Sequence, residues 1–252
     1  ETRCPYCSFN RYEFQTGLAV DSFSALRKEI KIYHDYGYDF DGVYIGGGTP
    51  TILADELFKT ISLLRQLFSI TELSVETNPG DLTEKNLSAL KELKVNRLSV
   101  GVQSFNDDIL KKIGRYDTYG SGDELKEKLK QALDDAYTLN VDMIFNFPFQ
   151  TAQMLEHDLD CLSQLLPDQV TFYPLMPADA LSSKLGGLNH RKEKQFYFRI
   201  LNRLSSDWEA LSVWCFGRNK GMIDEYIISR AEYIGAGSGS FGLLNGYIYA
   251  NT

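Results

Sequence analysis

The nine residues GVYIGGGTP, at positions 42–50, join a short apolar strand directly to three glycines and a proline. Three glycines at a strand end permit positive φ values and let the backbone approach a ligand closely. Pro50 then fixes the exit from the turn toward a helix. An ordinary strand-to-helix turn is the alternative interpretation, although such a turn rarely needs three consecutive glycines. The stretch therefore predicts a strand–helix unit with a candidate ligand-binding turn.

Short apolar segments alternate with amphipathic ones on both sides of this turn. Helices are expected to begin after the capping residues Asp21 and Thr83, and a further helix is expected at residues 189–204. Short segments rich in β-branched residues are typical of buried parallel strands, and they are predicted at residues 42–46, 73–77, 97–102, 141–145, 169–173 and 211–215. The alternation predicts βαβ units and a parallel sheet.

A doubly wound sheet and a barrel both satisfy this alternation. Polar residues gather where the predicted strands end, which is where barrel enzymes place their sites, so we expect an α/β fold with a partial (β/α)6-type barrel. Residues 1–205 are expected to form the barrel, and residues 206–252 its end and the start of a C-terminal segment. Because residues 247–252 stop within a predicted strand, we also expect the fold to be truncated at both ends.

Composition limits the classes of partner. The chain has 252 residues, 43% of them hydrophobic, which suffices for one large core. Its formal net charge of −8 disfavours nucleic acid and anionic membranes as partners. The sequence contains no apolar run near the roughly 20 residues that span a bilayer. Four cysteines in a chain of this length are typical of a reducing, cytoplasmic compartment rather than of a disulfide scaffold.

The segment Cys4-Pro5-Tyr6-Cys7 has three interpretations: a redox dithiol, half of a zinc site, or part of an iron–sulfur site. A thioredoxin-like dithiol should open a helix, and residues 8–16 do not have a helical pattern. His157 and Cys161 stand four apart on a predicted helix and would supply a second zinc-ligand pair. A solvated histidine and a small buried cysteine are the simpler interpretations of that pair.

Several polar side chains follow the predicted strands. A buried Glu76 would be costly without a partner, and a bound ammonium or sulfonium would supply one. Gln103 ends the next strand, and Arg115 lies in the polar loop beyond it, where solvent exposure is the simple alternative. Asp142 lies in another strand, where a salt bridge at the barrel rim and a ligand role are both open.

As an ordered set, these motifs resemble the radical S-adenosylmethionine enzymes of the oxygen-independent coproporphyrinogen III oxidase or dehydrogenase type, a group that includes haem chaperones and haem-modifying relatives. The resemblance runs from Cys4 to about Pro177. Cys4-Pro5-Tyr6-Cys7 matches the last four positions of the family's C-x-x-x-C-x-aromatic-C motif. It implies a [4Fe–4S] cluster held by Cys4 and Cys7, a further cysteine immediately before Glu1, and shielding of the cluster by Tyr6.

The resemblance also implies S-adenosylmethionine as cofactor. The glycine turn corresponds to the segment that contacts its methionine part, Glu76 to a group facing its amino or sulfonium end, and Gln103 to a ligand of its ribose or carboxylate. Arg115 corresponds to the arginine that pairs with the cofactor carboxylate. The implied cofactor-binding set is Tyr6, Gly47, Gly48, Thr49, Glu76, Gln103, Arg115, Asp142 and Ile144.

The family's chemistry implies an oxidoreductase of porphyrin biosynthesis that acts on a tetrapyrrole, with flavodoxin or ferredoxin as electron donor. Arg11, Arg191 and Arg218 are weak candidates for binding its propionates. Ser8-Phe9 and Asn146-Phe147 depart from the family pattern, as does the segment at residues 213–219. These departures concern coproporphyrinogen decarboxylation and leave the cofactor chemistry intact. The alternative functions are a haem-binding chaperone and a radical methyltransferase or haem-degrading relative. The zinc ligands considered above add a third, a zinc-stabilised protein without radical chemistry.

Overall fold

The computed structural model describes residues 4–7, 13–133, 137–176, 187, 189–218 and 232–251. Five strands form the parallel part of the main sheet, namely β1 (Gly42–Ile45), β2 (Glu72–Thr77), β3 (Arg97–Gln103), β4 (Thr138–Phe145) and β5 (Gln169–Pro174). The helices are α1 (Thr16–Asp35), α2 (Ala54–Leu67), α3 (Glu84–Glu92), α4 (Asp107–Lys112), α5 (Tyr116–Tyr119), α6 (Gly122–Ala132), α7 (Ala152–Leu165) and α8 (His190–Leu204).

The five parallel strands lie in the order of the sequence. Each pairs with the next, for example Val43 with Leu73 and Val141 with Val170, and the order does not reverse. A doubly wound sheet would reverse its strand order at a switch point. The arrangement confirms the predicted partial barrel, and the sheet is unclosed. The strands β1–β5 end at one edge of the sheet, which we call the carboxyl edge.

The predicted strand at residues 211–215 was wrong in its position and direction. Residues 211–214 form a bend, and two short strands flank it, β6 (Glu209–Ala210) and β7 (Cys215–Gly217). β7 pairs antiparallel with β5, with Cys215 opposite Thr171. Local composition indicates that a segment is extended, but it does not determine the direction in which the segment joins the sheet.

The core lies between the sheet and its helices. Leu57 and Ile61 of α2 and Leu125 and Leu129 of α6 are fully buried against the strands. A second, smaller cluster lies at the carboxyl edge, where Ile109, Ile113, Phe147 and Leu175 are buried together. The large cluster fixes the strands, and the small one packs against the loops that follow them. Within the described ranges, none of the helices has the length and apolar character that a bilayer crossing requires.

Helix boundaries were predicted with mixed success. Thr83 caps α3 as expected, since its hydroxyl accepts from the Asn86 N–H at 3.3 Å. Asp21 was wrongly predicted as a cap, because α1 begins five residues earlier at Thr16 without a capping side chain. A helix start of that kind carries no local sequence signal.

The glycine-rich residues 235–242 lead into a two-stranded hairpin, β8 (Phe241–Leu244) and β9 (Tyr247–Ala250). The Gly237 N–H donates to the Glu29 carboxylate of α1 at 2.9 Å. This contact places the glycine-rich loop beside α1. The division of the chain at residue 205 stays a prediction.

Candidate functional site

The glycine turn after β1 has the backbone geometry that its sequence predicted. Gly47 and Gly48 have φ values of +84° and +59°, which favour glycine strongly. At Gly46 the restriction is spatial, because an added Cβ would lie 2.6 Å from the Tyr44 ring and 3.0 Å from the Glu76 carboxylate. Both Gly47 and Gly48 are exposed, and a Cβ at either would meet nothing within 4 Å. The turn thus presents open backbone at the carboxyl edge.

Glu76 lies directly beneath this turn. Its carboxylate accepts hydrogen bonds from the Gly47 N–H at 3.0 Å and from the Tyr44 hydroxyl. The half-buried charge therefore has partners within the chain, and its burial alone does not require a bound cation. The contacts hold the carboxylate at the point where the open glycine backbone begins.

Arg115 lies at the centre of the carboxyl edge. The side chain is only 3% exposed, which excludes the simple alternative of a solvent-exposed arginine. Its guanidinium donates to the Tyr6 hydroxyl and to Asn78 Oδ1, each at 3.0 Å, and to the Gly101 carbonyl, and it stacks 4.2 Å from the Tyr119 ring centroid. Among the described residues, Arg115 Nε is buried without a hydrogen-bond partner. One N–H donor of the charged guanidinium therefore remains for a ligand at this edge.

Asn78 is a site residue that the sequence reasoning missed. Its amide donates to the Thr49 hydroxyl at 2.6 Å, and its carbonyl oxygen accepts from Arg115. Asn78 therefore links the glycine turn to the buried arginine. Its position could have indicated this role, because Asn78 directly follows β2 and lies two residues after Glu76, which was predicted to belong to the site.

Gln103 ends β3 in a left-handed conformation, with a φ of +76°, and the pairing with β4 shifts register between Gly101 and Gln103. Such a φ costs a residue other than glycine about 1 kcal/mol or more and persists only where neighbours hold it. A Cβ at Gly101 would lie 3.0 Å from Gln103 Nε2, so the glutamine amide lies close over the Gly101 backbone. The bulge thus directs the Gln103 side chain toward Arg115 and Asn78.

Asp142 and Ile144 lie on the neighbouring strand β4. The Asp142 carboxylate accepts from the Ser99 hydroxyl and from the Asn140 amide, both at 2.7 Å, and Gly101 is its cross-strand neighbour. These contacts lie within the sheet. Ile144 packs on the small edge cluster, as Tyr6 does.

The cysteine segment approaches this edge through Tyr6. A turn joins its two ends, with the Cys7 N–H donating to the Cys4 carbonyl at 3.3 Å, and both thiols are free and half-buried. The Tyr6 ring packs edge-on against Phe147, with 6.5 Å between centroids. Burial raises the pKa of the Tyr6 phenol well above its usual range, while the nearby Arg115 acts in the opposite direction. The phenol therefore stays protonated and donates or accepts without carrying charge.

The two further zinc ligands considered from the sequence, His157 and Cys161, lie on α7 and not beside the cysteine segment. His157 Nε2 and Cys161 Sγ are 3.8 Å apart on α7, close to Asp123 and Lys126 of α6. Burial raises the pKa of the Cys161 thiol to about 11. Across the described ranges, no three His, Cys, Asp or Glu side chains come together as metal ligands. The structure does not assemble the four-residue zinc site.

Two of the three arginines considered for propionate binding, Arg191 and Arg218, lie within the described residues. Arg218 lies at the opposite edge, where it donates to the Leu166 carbonyl at 3.0 Å beside the start of β5. Arg191 is exposed in the first turn of α8. Arg11 lies outside the described residues.

Asp158 is a second residue that the sequence reasoning missed. It is fully buried on α7, and it accepts from the Phe105 N–H at 2.7 Å and from the Ser104 hydroxyl at 3.0 Å. These contacts tie α7 to the loop that directly follows Gln103. Burial raises the pKa of the Asp158 carboxyl to about 7, although the hydrogen bonds from Phe105 and Ser104 oppose that shift.

Asp158→Asn should therefore change how stability depends on pH. A carboxyl whose pKa is raised on folding stabilises the folded state at low pH, and this contribution is lost as pH rises toward 7. We expect the free energy of unfolding of the wild type, minus that of Asp158→Asn, to fall by about 2–3 kcal/mol between pH 5 and 8. Urea unfolding at each pH measures it, with the exposed Asp160→Asn as control. A pH-independent difference would contradict the assignment.

Comparison with known proteins agrees with this architecture. Residues 1–162 match the family model of the Radical SAM superfamily. The chain is 30% identical to the heme chaperone HemW of Bacillus subtilis over 265 residues, covering 96% of this chain and 68% of that protein. It is 26% identical to anaerobilin synthase of Escherichia coli O157:H7, covering 99% of this chain and 60% of that protein.

A solved structure is also similar. The fold superposes on coproporphyrinogen III oxidase of Escherichia coli, described as a radical SAM enzyme, with a TM-score of 0.80 at 20% identity. The superposition covers 96% of this chain and 62% of that chain. At this identity the likeness concerns the fold.

Proposed function

Because this chain belongs to the radical SAM superfamily, whose members use a [4Fe–4S] cluster and S-adenosylmethionine, we propose that its carboxyl edge binds both and that the protein acts on a tetrapyrrole. The observation that carries the proposal is Arg115. The buried guanidinium of Arg115 contacts both Tyr6, between the two cysteines, and Asn78, beside the glycine turn. It connects the candidate cluster loop to the candidate cofactor site.

The residues at the carboxyl edge fit a [4Fe–4S] cluster and S-adenosylmethionine. Cys4 and Cys7 offer free, half-buried thiols, the ligand type that iron–sulfur clusters require. Gly47 and Gly48 leave open space in front of their backbone, and the buried Arg115 Nε has an unused donor among the described residues. A zwitterionic amino acid moiety needs both a carboxylate partner and cationic or amide donors, and the edge offers Glu76 and Arg115.

When bound, the reduced cluster and S-adenosylmethionine would supply the radical chemistry for removing hydrogen from a substrate. The chain's own residues bind and orient the cofactor and the substrate, and they exclude water from the site. Glu76, held by Tyr44 and Gly47, would bind the ammonium end of the cofactor, and Arg115 its carboxylate. Gln103 and Thr49 would orient the remainder of S-adenosylmethionine. Tyr6, packed on Phe147, would keep water from the cysteine loop.

The remaining members of the predicted set are part of this proposal. Asp142 is fixed by Ser99 and Asn140 and would orient groups inside the barrel rather than contact the cluster loop. Ile144 would supply apolar contact. A small reducing protein such as flavodoxin or ferredoxin would deliver electrons, in the cytoplasm, where thiols stay reduced.

Haem handling is the second candidate function. It is favoured by the 30% identity to a heme chaperone over 96% of this chain. The departures at Ser8-Phe9 and at Asn146-Phe147 also favour a reaction other than coproporphyrinogen decarboxylation. In this alternative the same fold and the same cofactor site serve a protein that carries haem.

One anaerobic experiment separates the two candidates. The full-length protein, reconstituted with iron and sulfide, is reduced with dithionite and incubated with S-adenosylmethionine and either coproporphyrinogen III or haem. For an enzyme we expect 5′-deoxyadenosine and altered tetrapyrrole; for a chaperone we expect stoichiometric haem binding without turnover of the haem.

The experiment also has outcomes that reject each proposal. Failure to bind iron, together with uncleaved S-adenosylmethionine, would overturn the radical SAM function. Cleavage of S-adenosylmethionine with neither tetrapyrrole bound nor altered would overturn the substrate class while leaving the cofactor site intact.

A further inference from the structure

Lys192 makes an unusual set of contacts near the candidate site. Its ammonium donates to three backbone carbonyls of one loop, those of Phe147 at 2.6 Å and of Pro148 and Gln150 at 3.2 Å each. Three donors thus meet three acceptors. Burial lowers the pKa of the Lys192 ammonium.

The position of Lys192 in α8 is electrostatically unfavourable for its positive charge. It lies in the first turn of α8, where the helix dipole disfavours a cation. The three carbonyls offset this cost, because their partial negative charges face the ammonium. The Lys192 ammonium therefore stabilises the loop that contains Phe147, Pro148 and Gln150 rather than the first turn of α8.

The loop that Lys192 contacts is strained and tightly closed. Asn146 is buried with a φ of +68°, its N–H donates to Gln150 Oε1 at 2.8 Å, and its amide donates to Glu193 at 3.1 Å. Such a conformation persists only where surrounding contacts fix it. Two neighbouring residues of α8, Lys192 and Glu193, provide those contacts from outside the sheet.

The loop in turn supports the cysteine segment. Phe147 is fully buried, stacks on Phe149 at 5.6 Å, and meets the Tyr6 ring edge-on at 6.5 Å. Tyr6 stands between Cys4 and Cys7. A continuous series of contacts therefore runs from the Lys192 ammonium, through the Phe147 carbonyl and ring, to the cysteine segment.

We propose that Lys192 is a positioning residue for the cysteine segment: by fixing the loop at residues 146–150, it holds Phe147 against Tyr6 and thereby sets the place of Cys4 and Cys7. The inference rests on the proposed function for its meaning, since the cysteines matter as cluster ligands. Its physical content concerns the protein without iron, and it can be tested there.

The test is thiol alkylation of the full-length, iron-free protein by iodoacetamide, with each cysteine followed by peptide mass spectrometry. Lys192→Met keeps an unbranched side chain one atom shorter and loses the three donors. In this variant Cys4 and Cys7 should react at least roughly threefold faster, because the segment opens more often. Lys192→Arg, which keeps the charge, should restore part of the protection. Lys194→Met, an exposed lysine of the same helix, should match the wild type.

The buried Cys161 and Cys215 report global unfolding in the same samples. Their rates should stay unchanged in every variant. Equal Cys4 and Cys7 rates in Lys192→Met and wild type would overturn the inference, as would a parallel rise at all four cysteines. Failure of the reconstituted protein to bind iron would overturn the proposed function, while leaving the result on the positioning of the segment unaffected.

Discussion

Replacing Cys7 with serine should abolish cluster binding. Thiolates hold iron–sulfur clusters, and a serine hydroxyl at neutral pH does not replace one. We expect the anaerobically reconstituted Cys7→Ser protein to retain less than about a tenth of the wild-type iron and to lack the broad visible absorption of iron–sulfur proteins. Iron analysis and absorption spectra of the full-length protein measure this.

The two cysteines outside the cysteine segment provide matched controls for that substitution. Cys161 lies on α7 beside His157, and Cys215 begins β7 opposite Thr171, both buried and away from the cysteine segment. Cys161→Ser and Cys215→Ser should retain wild-type iron. Full iron in Cys7→Ser, or equal loss in a control that remains folded, would show that the cluster is not held where we propose.

Replacing Arg115 with methionine should have the second large effect. The change leaves the Tyr6 hydroxyl, Asn78 Oδ1 and the Gly101 carbonyl, all on half-buried residues, without their shared donor. Hydrogen bonds to charged groups each contribute about 1.5–3 kcal/mol, so we expect S-adenosylmethionine binding to weaken by about 10- to 100-fold. Isothermal titration of the cluster-loaded protein measures the change.

Stability must be followed in parallel, because Arg115 is also structural. Arg115→Lys keeps the charge and loses the planar fork, so its affinity should fall between those of wild type and Arg115→Met. Tyr119→Leu removes only the ring that stacks on the guanidinium and should weaken binding by less than threefold, or about 0.6 kcal/mol. A folded Arg115→Met protein with wild-type affinity would contradict the proposed role.

Features that depend on neighbouring residues were predicted well from the sequence. The glycine turn has the positive φ values that GGGTP indicated, and Thr83 caps its helix. Strands β1–β5 follow from short, β-branched segments, because burial on both faces of a sheet constrains composition directly. The gathering of polar residues at one edge follows from parallel strands alone.

Features that depend on residues distant in sequence were missed. Asn78 meets Arg115 across 37 positions, Asp158 meets Phe105 across 53, and Lys192 meets Phe147 across 45. Such pairs leave no local pattern, and only the fold brings them together. The direction of β7 escaped prediction for the same reason, since its pairing with β5 follows a helix and a long connection.

The central claim is that one edge of the sheet holds both the cluster and S-adenosylmethionine. Electron paramagnetic resonance of the dithionite-reduced, full-length protein tests it most directly, because the cluster signal changes when a ligand binds at the iron. We predict a changed signal on addition of S-adenosylmethionine to the wild type, and a change that requires much higher concentrations in Arg115→Met. A cluster signal that stays the same at saturating S-adenosylmethionine would contradict the account.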